Sequence, residues 1–131
     1  MKTAVRRGEG ELLMLGGRRP IEILVERATT GTRAFTMGAQ TIAAGAEVPE
    51  HKHAEEEILF VYAGTGRITV AGVAHEVGPE TAVFVPGDTY HRIQNTGPHE
   101  IRMTFTLSPP GYEEFFRNLA RTRTDHVPAP A

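Results

Sequence analysis

Apolar and polar residues alternate most cleanly near the end of the chain, where Ile101, Met103, Phe105 and Leu107 are separated by Arg102, Thr104 and Thr106. A period of two puts the first set on one face of a strand and the second on the other, which predicts a strand with one buried side. Similar short segments precede it. Phe35 and Met37 alternate with Ala34, Thr36 and Gly38, residues 58–62 form a continuous apolar run, and residues 67–70, 73–77 and 81–85 are further β-type stretches. Gly64-Thr65-Gly66, Ala71-Gly72 and Pro86-Gly87 read as the turns between them. Short strands with turn signals about every 8–12 residues predict an antiparallel sandwich or barrel. No long helical pattern interrupts them, which argues against a parallel βαβ sheet.

The pattern changes only after Ser108-Pro109-Pro110, which stops the last strand. Tyr112, Phe115, Phe116 and Leu119 then fall at the i, i+3, i+4, i+7 spacing of one amphipathic helix, placed at about residues 109–122. Glu113 and Glu114 lie in its first turn and Arg117 and Arg121 later, as the helix dipole favours. The aromatic stripe is expected to pack on the barrel wall rather than to contact a ligand. Residues 123–131 hold two prolines and no periodicity and read as a flexible tail. The expectation is therefore an all-β fold, a small antiparallel β-barrel or jelly roll with one short C-terminal helix, in a single domain over residues 1–122.

Composition narrows the function. The 131 residues suit one domain, with 40% hydrophobic and 23% charged residues, values of a globular chain rather than a disordered or membrane one. Fourteen Lys and Arg against sixteen Asp and Glu give a net charge of −2, with no basic surplus for a nucleic-acid partner. The absence of cysteine removes disulfides and thiolate chemistry. Charges scattered through the first fifteen residues do not read as a signal peptide, and the longest apolar run, residues 58–63, is far short of the ~20 needed to span a bilayer. A soluble, cytoplasmic protein with a small-molecule partner is expected.

Four residues carry the chemistry. His51 and His53 are one residue apart and share a face if they lie on a strand; Glu57, an even step further, keeps that face if the strand is not bulged. His91 follows the Pro86-Gly87 turn at the start of the next strand. Three neutral imidazoles and a carboxylate are the ligand types of a divalent first-row metal and leave one or two positions open for water or substrate. Glu55 and Glu56 compete with Glu57 for the acidic role and are expected to be solvated, as His75, His99 and His126 are expected to be ordinary surface histidines. Tyr62 and Tyr90 sit at odd offsets from neighbouring ligands and should point away.

With its flanking glycines this constellation resembles the cupin superfamily. The first motif, Gly, five residues, His-x-His, three or four residues, Glu, six residues, Gly, is matched by Gly45, His51, His53, Glu57 and Gly64. In the second, Pro86, His91 and Asn95 keep their places, but Glu80 stands where a glycine belongs, and the Pro-x-Gly reads Pro86-Gly87-Asp88. These departures bear on turn geometry and not on the ligands. The resemblance implies that His51, His53, Glu57 and His91 hold one divalent transition metal (Fe, Ni, Mn or Zn) inside a small β-barrel.

A looser resemblance extends to the flanks. Residues 6–11, residues 23–36 and residues 108–116 are similar to those of single-domain quercetinase-like cupins. That implies an oxygen-dependent dioxygenase acting on a flavonol, a β-diketone or another enolisable compound, with Glu57 first taking the proton; the inward residues Leu59, Val61, Ile93, Met103 and Phe105 are expected equally as pocket wall or as plain core. The alternatives are a non-redox metal-dependent isomerase, cyclase or lyase, and a small-molecule-binding protein without turnover. A homodimer is expected by analogy.

Overall fold

In the computed structural model, which describes residues 1–122, the chain runs through β1 (Glu11–Leu13), β2 (Ile21–Val25), α1 (Arg27–Thr30), β3 (Thr36–Ile42), β4 (Glu47–His51), β5 (Glu56–Ala63), β6 (Gly66–Val70), β7 (Val73–Val77), β8 (Thr81–Val85), β9 (His91–Gln94), β10 (Ile101–Ser108) and α2 (Glu113–Thr122). Residues 123–131, which contain the stretch read as a tail and His126, lie outside the described residues. The strands form two antiparallel sheets, in the orders β1-β2-β3-β10-β5-β8 and β4-β9-β6-β7. Among the described residues no helix is long and apolar enough to cross a membrane.

The period-two reading holds best in the middle of the larger sheet. Ile101, Met103, Phe105 and Leu107 of β10 are all buried, and so are Leu59 and Val61 of β5. The other half of the continuous run at 58–62, Ile58, Phe60 and Tyr62, stays partly exposed on the outer face, next to Phe84 of β8. The hairpin from β6 to β7 turns on Ala71 and Gly72, both at positive φ (51° and 79°), the two-residue turn whose twist matches paired strands.

β3 is in the opposite phase to the one its sequence suggests. Phe35 is exposed and Met37 only half-buried, whereas Thr36, Gly38, Gln40 and Ile42 face inward. The reason lies across the ladder, where Gly38 sits opposite Phe105. A Cβ at Gly38 would meet the Phe105 ring at 2.7 Å and the Glu22 carbonyl oxygen at 2.2 Å, so the aromatic side chain fills the space that a residue on β3 leaves.

β1, β2 and α1 carry no sequence signal of their own. Four consecutive residues of β2, Ile21, Glu22, Ile23 and Leu24, are buried, so no alternation appears there. The second face is covered because the Glu22 carboxylate receives Arg7 Nε at 2.8 Å and the amides of Gly8 and Gly10 at 2.7 and 2.8 Å, drawing the N-terminal segment over the strand. Burial alone would raise this carboxyl, but Arg7 and the two amides hold it below its usual range.

The C-terminal helix starts at Glu113, later than the predicted start, because Pro109, Pro110 and Gly111 stay outside it. The buried Glu113 carboxylate accepts the Thr36 hydroxyl at 2.7 Å and the Gly111 amide at 2.8 Å, which ties the first turn to β3. Arg117 reaches Glu11, Glu26 and Glu114, so the helix is fastened on two sides across one end of the barrel.

Candidate metal centre

His51 is the last residue of β4, His53 lies in the following loop, Glu57 is near the start of β5, and His91 opens β9. His51 and His91 stand opposite each other in the β4–β9 ladder. The period-two argument for the first three residues does not describe what happens. The chain leaves β4 after His51 and enters β5, a strand of the opposite sheet, at Glu56. The four side chains therefore meet at a corner between sheets and not along one strand.

They meet closely. The ring centroids of His51 and His91 are 4.2 Å apart, those of His53 and His91 4.8 Å, and one nitrogen from each of the three rings lies within 4.8 Å of the others. Glu57 Oε1 is 3.3 Å from His53 Nε2 and 3.3 Å from His91 Nε2. Each ring is oriented by a backbone carbonyl that accepts its Nδ1–H. Pro49 holds His51 at 2.9 Å, Glu55 holds His53 at 3.0 Å, and Thr89 holds His91 at 2.8 Å. A proton on Nδ1 leaves the Nε2 lone pair turned inward, the tautomer a metal ligand needs.

The fit to a cation can be judged from the residues alone. His91 is 1% exposed, and its Nε2 is a buried nitrogen without a hydrogen-bond partner. The Glu57 carboxylate, 3.3 Å away, makes no well-aligned hydrogen bond to it, so the desolvation penalty of this nitrogen is not fully offset within the protein. Three imidazoles and a carboxylate, with the imidazoles pre-oriented from behind, suit a first-row divalent ion. Burial, with His91 and His53 adjacent, pushes the His51 ring below its usual pKa and keeps it neutral. Burial acts the same way on His53, but the Glu57 carboxylate beside Nε2 outweighs it by favouring the protonated ring, a proton that a bound cation would displace. Burial would raise Glu57, yet His53 and His91 hold this carboxyl below its ordinary range, so it stays ionised.

The loop before His91 is clamped to the loop around His53. The Asp88 amide donates to the His53 carbonyl at 2.7 Å, and a Cβ at Gly87 would lie 2.5 Å from the Ala54 carbonyl oxygen, so only glycine admits this approach. The two departures from the cupin pattern are explained here as well. Glu80 and Asp88 both adopt the left-handed region, with φ of 67° and 53°, where the pattern has glycine. A side chain in that region costs roughly 1–2 kcal/mol. Glu80→Gly is accordingly expected to stabilise the fold by about 1 kcal/mol, read as a higher midpoint in urea at unchanged slope. Asn95 is structural. Its Nδ2 donates to the carbonyls of Ile42 and His99, and its Oδ1 accepts the Gly97 amide.

The histidines form one wall of a cavity of about 250 Å³. Leu15, Val48, Ile93, Phe115, Phe116 and Leu119 make its apolar sides, and Arg19, Gln40, Glu50 and Tyr112 add polar groups. Of the five residues expected as pocket wall or plain core only Ile93 lines the cavity; Leu59, Val61, Met103 and Phe105 are buried core. The helix stripe does more than cover the barrel. Phe116 packs on Phe105 at 5.3 Å between centroids, while Tyr112 lies 4.5 Å from the His53 ring and lines the cavity. Burial, together with the charges of Glu57 and Glu55, pushes the Tyr112 phenol well above its usual pKa, so it is a neutral donor.

Tyr62 and Tyr90 are exposed, as are Glu56, His75 and His99; Glu55 is partly buried and lends its carbonyl to His53. Sequence reasoning missed most of the lining, Tyr112 and Gln40 among it. The only hint of Tyr112 was a hydroxyl-bearing ring in an otherwise apolar stripe, and Gln40 gave none.

The cupin domain family model matches residues 38–107. Protein SchB of Streptomyces halstedii is 31% identical over 90 residues, covering 68% of this chain and 65% of that protein. Polyketide synthase CurC of Streptomyces cyaneus is 30% identical over 90 residues, covering 68% of this chain and 58% of CurC. This chain thus spans less than two thirds of either relative. A crystal structure of an RmlC-like cupin from Shewanella frigidimarina superposes with a TM-score of 0.75 at 21% identity, covering 88% of this chain and 96% of that one. With a family match across more than half of its length, over the strands and loops that bring His51, His53 and His91 together, the chain belongs to the cupin family.

Proposed function

We propose that this cupin is a metal-dependent enzyme that takes a proton from a small, ring-bearing enolisable carbonyl compound, and that the resulting enolate goes on to cyclisation, elimination or isomerisation without oxygen. The observation that carries this reading is the ionised Glu57 carboxylate, set against two histidine Nε2 atoms in the wall of an apolar, aromatic-sided cavity. The name of CurC, a polyketide synthase, points to the same substrate type.

When bound, a divalent cation held by His51, His53 and His91, with Glu57 at its side, would polarise a carbonyl oxygen and stabilise negative charge developing there. Glu57 accepts the proton from the adjacent carbon, and the C–H electron pair moves into the enolate. Tyr112, neutral and next to His53, can donate a hydrogen bond to substrate oxygen. The walls formed by Val48, Ile93, Phe115 and Phe116 keep water from competing. Oxygen-dependent cleavage, the activity implied by the similarity of residues 108–116 to quercetinase-like flanks, begins with the same proton removal and is the second reading.

The two separate in one experiment. Protein loaded with zinc, and in parallel with iron, nickel or manganese, is incubated in deuterated water with β-diketones, flavonols and hydroxynaphthalenes, with and without air. Solvent deuterium exchange or product formation that persists anaerobically with zinc is the expected result. Substrate loss that requires oxygen and matches its uptake in an electrode cell would replace the first reading with the second. The homodimer belongs to this proposal too. The partly exposed Ile58, Phe60 and Phe84 on the outer sheet face support it, and sedimentation at micromolar concentration should give twice the chain mass.

A further inference from the structure

Gln40 is the polar residue that the fold leaves unexplained. It lies on the inward face of β3, directly opposite Met103 on one side and Ile21 on the other, in a row of otherwise apolar positions. It is 8% exposed, it lines the cavity, and among the described residues its amide has no hydrogen-bond partner. Its amide is not sealed off as His91 Nε2 is, so what pairs with it comes from the cavity it borders.

The ladder registers say how far along the sheet the Gln40 backbone lies from that of Glu57. Glu57 is level with Leu107 and Thr36, whereas Gln40 is level with Met103 and Val61. Four residues along β10 separate the two rows, about 13 Å between backbones at about 3.3 Å per residue. With both side chains turned into the cavity, the carboxylate and the amide approach its contents from two separated positions. An uncharged amide both donates and accepts, so it matches a hydroxyl or carbonyl oxygen better than a carboxylate or an ammonium group. The rings of Phe115 and Phe116 in the cavity lining favour a flat molecule.

We infer that Gln40 is a specificity-determining residue that binds a second oxygen of the substrate, remote from the oxygen at the histidine cluster. The substrate class is then a flat, neutral ring compound with oxygen functions on two separated edges, not a compact acyclic acid. This rests on the proposed reading of the cavity as the substrate site.

The test compares 2-naphthol with 2,6-dihydroxynaphthalene, titrated calorimetrically into zinc-loaded wild type and Gln40→Met. Methionine has nearly the same length and cannot pair with a hydroxyl. The wild type should bind the diol about tenfold more tightly than the mono-ol, the usual worth of one enclosed hydrogen bond whose loss leaves a group unpaired. In Gln40→Met the two affinities should be equal, with 2-naphthol binding no worse than in wild type. A second readout guards against a purely structural role. Removing an unpaired amide from an apolar row should raise Tm by about 4 °C, whereas loss of a structural hydrogen bond would lower it.

Equal affinities in the wild type, no binding of either naphthol, a diol preference that survives in Gln40→Met, or a lowered Tm would each overturn the assignment. Binding is read without turnover, so the two proposals fail separately. Absent deuterium exchange with an intact diol preference discards the proton-removal reading alone. Intact exchange with no diol preference discards the role of Gln40 alone.

Discussion

His91→Ala is expected to weaken metal binding by at least about 100-fold, beyond the effect typical of removing a group that merely orients a ligand. His91 is fully buried, its ring is aimed by the Thr89 carbonyl, and its Nε2 points into the cluster without a well-aligned hydrogen bond. Alanine removes the nitrogen and leaves His51, His53 and Glu57 to hold the ion alone. Elemental analysis after dialysis reads the loss directly. Thermal unfolding gives an independent measure, because zinc at 100 times its Kd should add about 2.7 kcal/mol to wild-type stability, a rise of roughly 8 °C in Tm. His91→Ala should show almost none of that rise. His75→Ala, altered on the exposed face of β7, should behave as wild type in both measurements. Equal metal content in all three proteins would contradict the cluster as the metal site.

Glu57→Gln should slow proton removal by about 100- to 10,000-fold, the range of positioned acid–base groups. Glutamine keeps the shape and an acceptor oxygen, so the fold and much of the metal binding should survive. That separates this variant from His91→Ala, in which binding itself is lost. The pH profile adds a sharper criterion. Because His53 and His91 hold the Glu57 carboxyl below its ordinary range, the base form is already complete at neutral pH. Glu57 should therefore stay in its base form down to the pH at which a free glutamate protonates. An acid limb of the deuterium-exchange rate above that pH should come from protonation of the histidines and appear in Glu57→Gln as well. A variant that retains most of its exchange rate would remove Glu57 from the role of base.

The resemblance named four residues that lie together, three of them histidines placed to hold a metal ion, yet the geometry behind the reading was different. Even spacing suggested one face of one strand for His51, His53 and Glu57, while their convergence comes from a chain that crosses between sheets at residues 52–55. Positive φ at Glu80 and Asp88 shows why the cupin pattern places glycine there, a backbone requirement that the identity of the side chain conceals.

Residue order alone carries the periodicity of β10, the turns at 71–72 and 86–87, the amphipathic stripe of α2, and the ligand types with their intervals. All of these are local, set by side-chain alternation and by which residues tolerate a given backbone angle. The phase of β3, the burial of both faces of β2, the swing of Tyr112 onto His53 and the enclosure of Gln40 arise only once distant segments pack together. Phe105 claims the space beside Gly38, Arg7 and two N-terminal amides settle on Glu22, and the Glu113–Thr36 bond aligns the last helix with the barrel mouth. These partners are 12 or more residues apart in the chain, beyond the reach of any local pattern, so the shape and polarity of the cavity belong to the packed molecule.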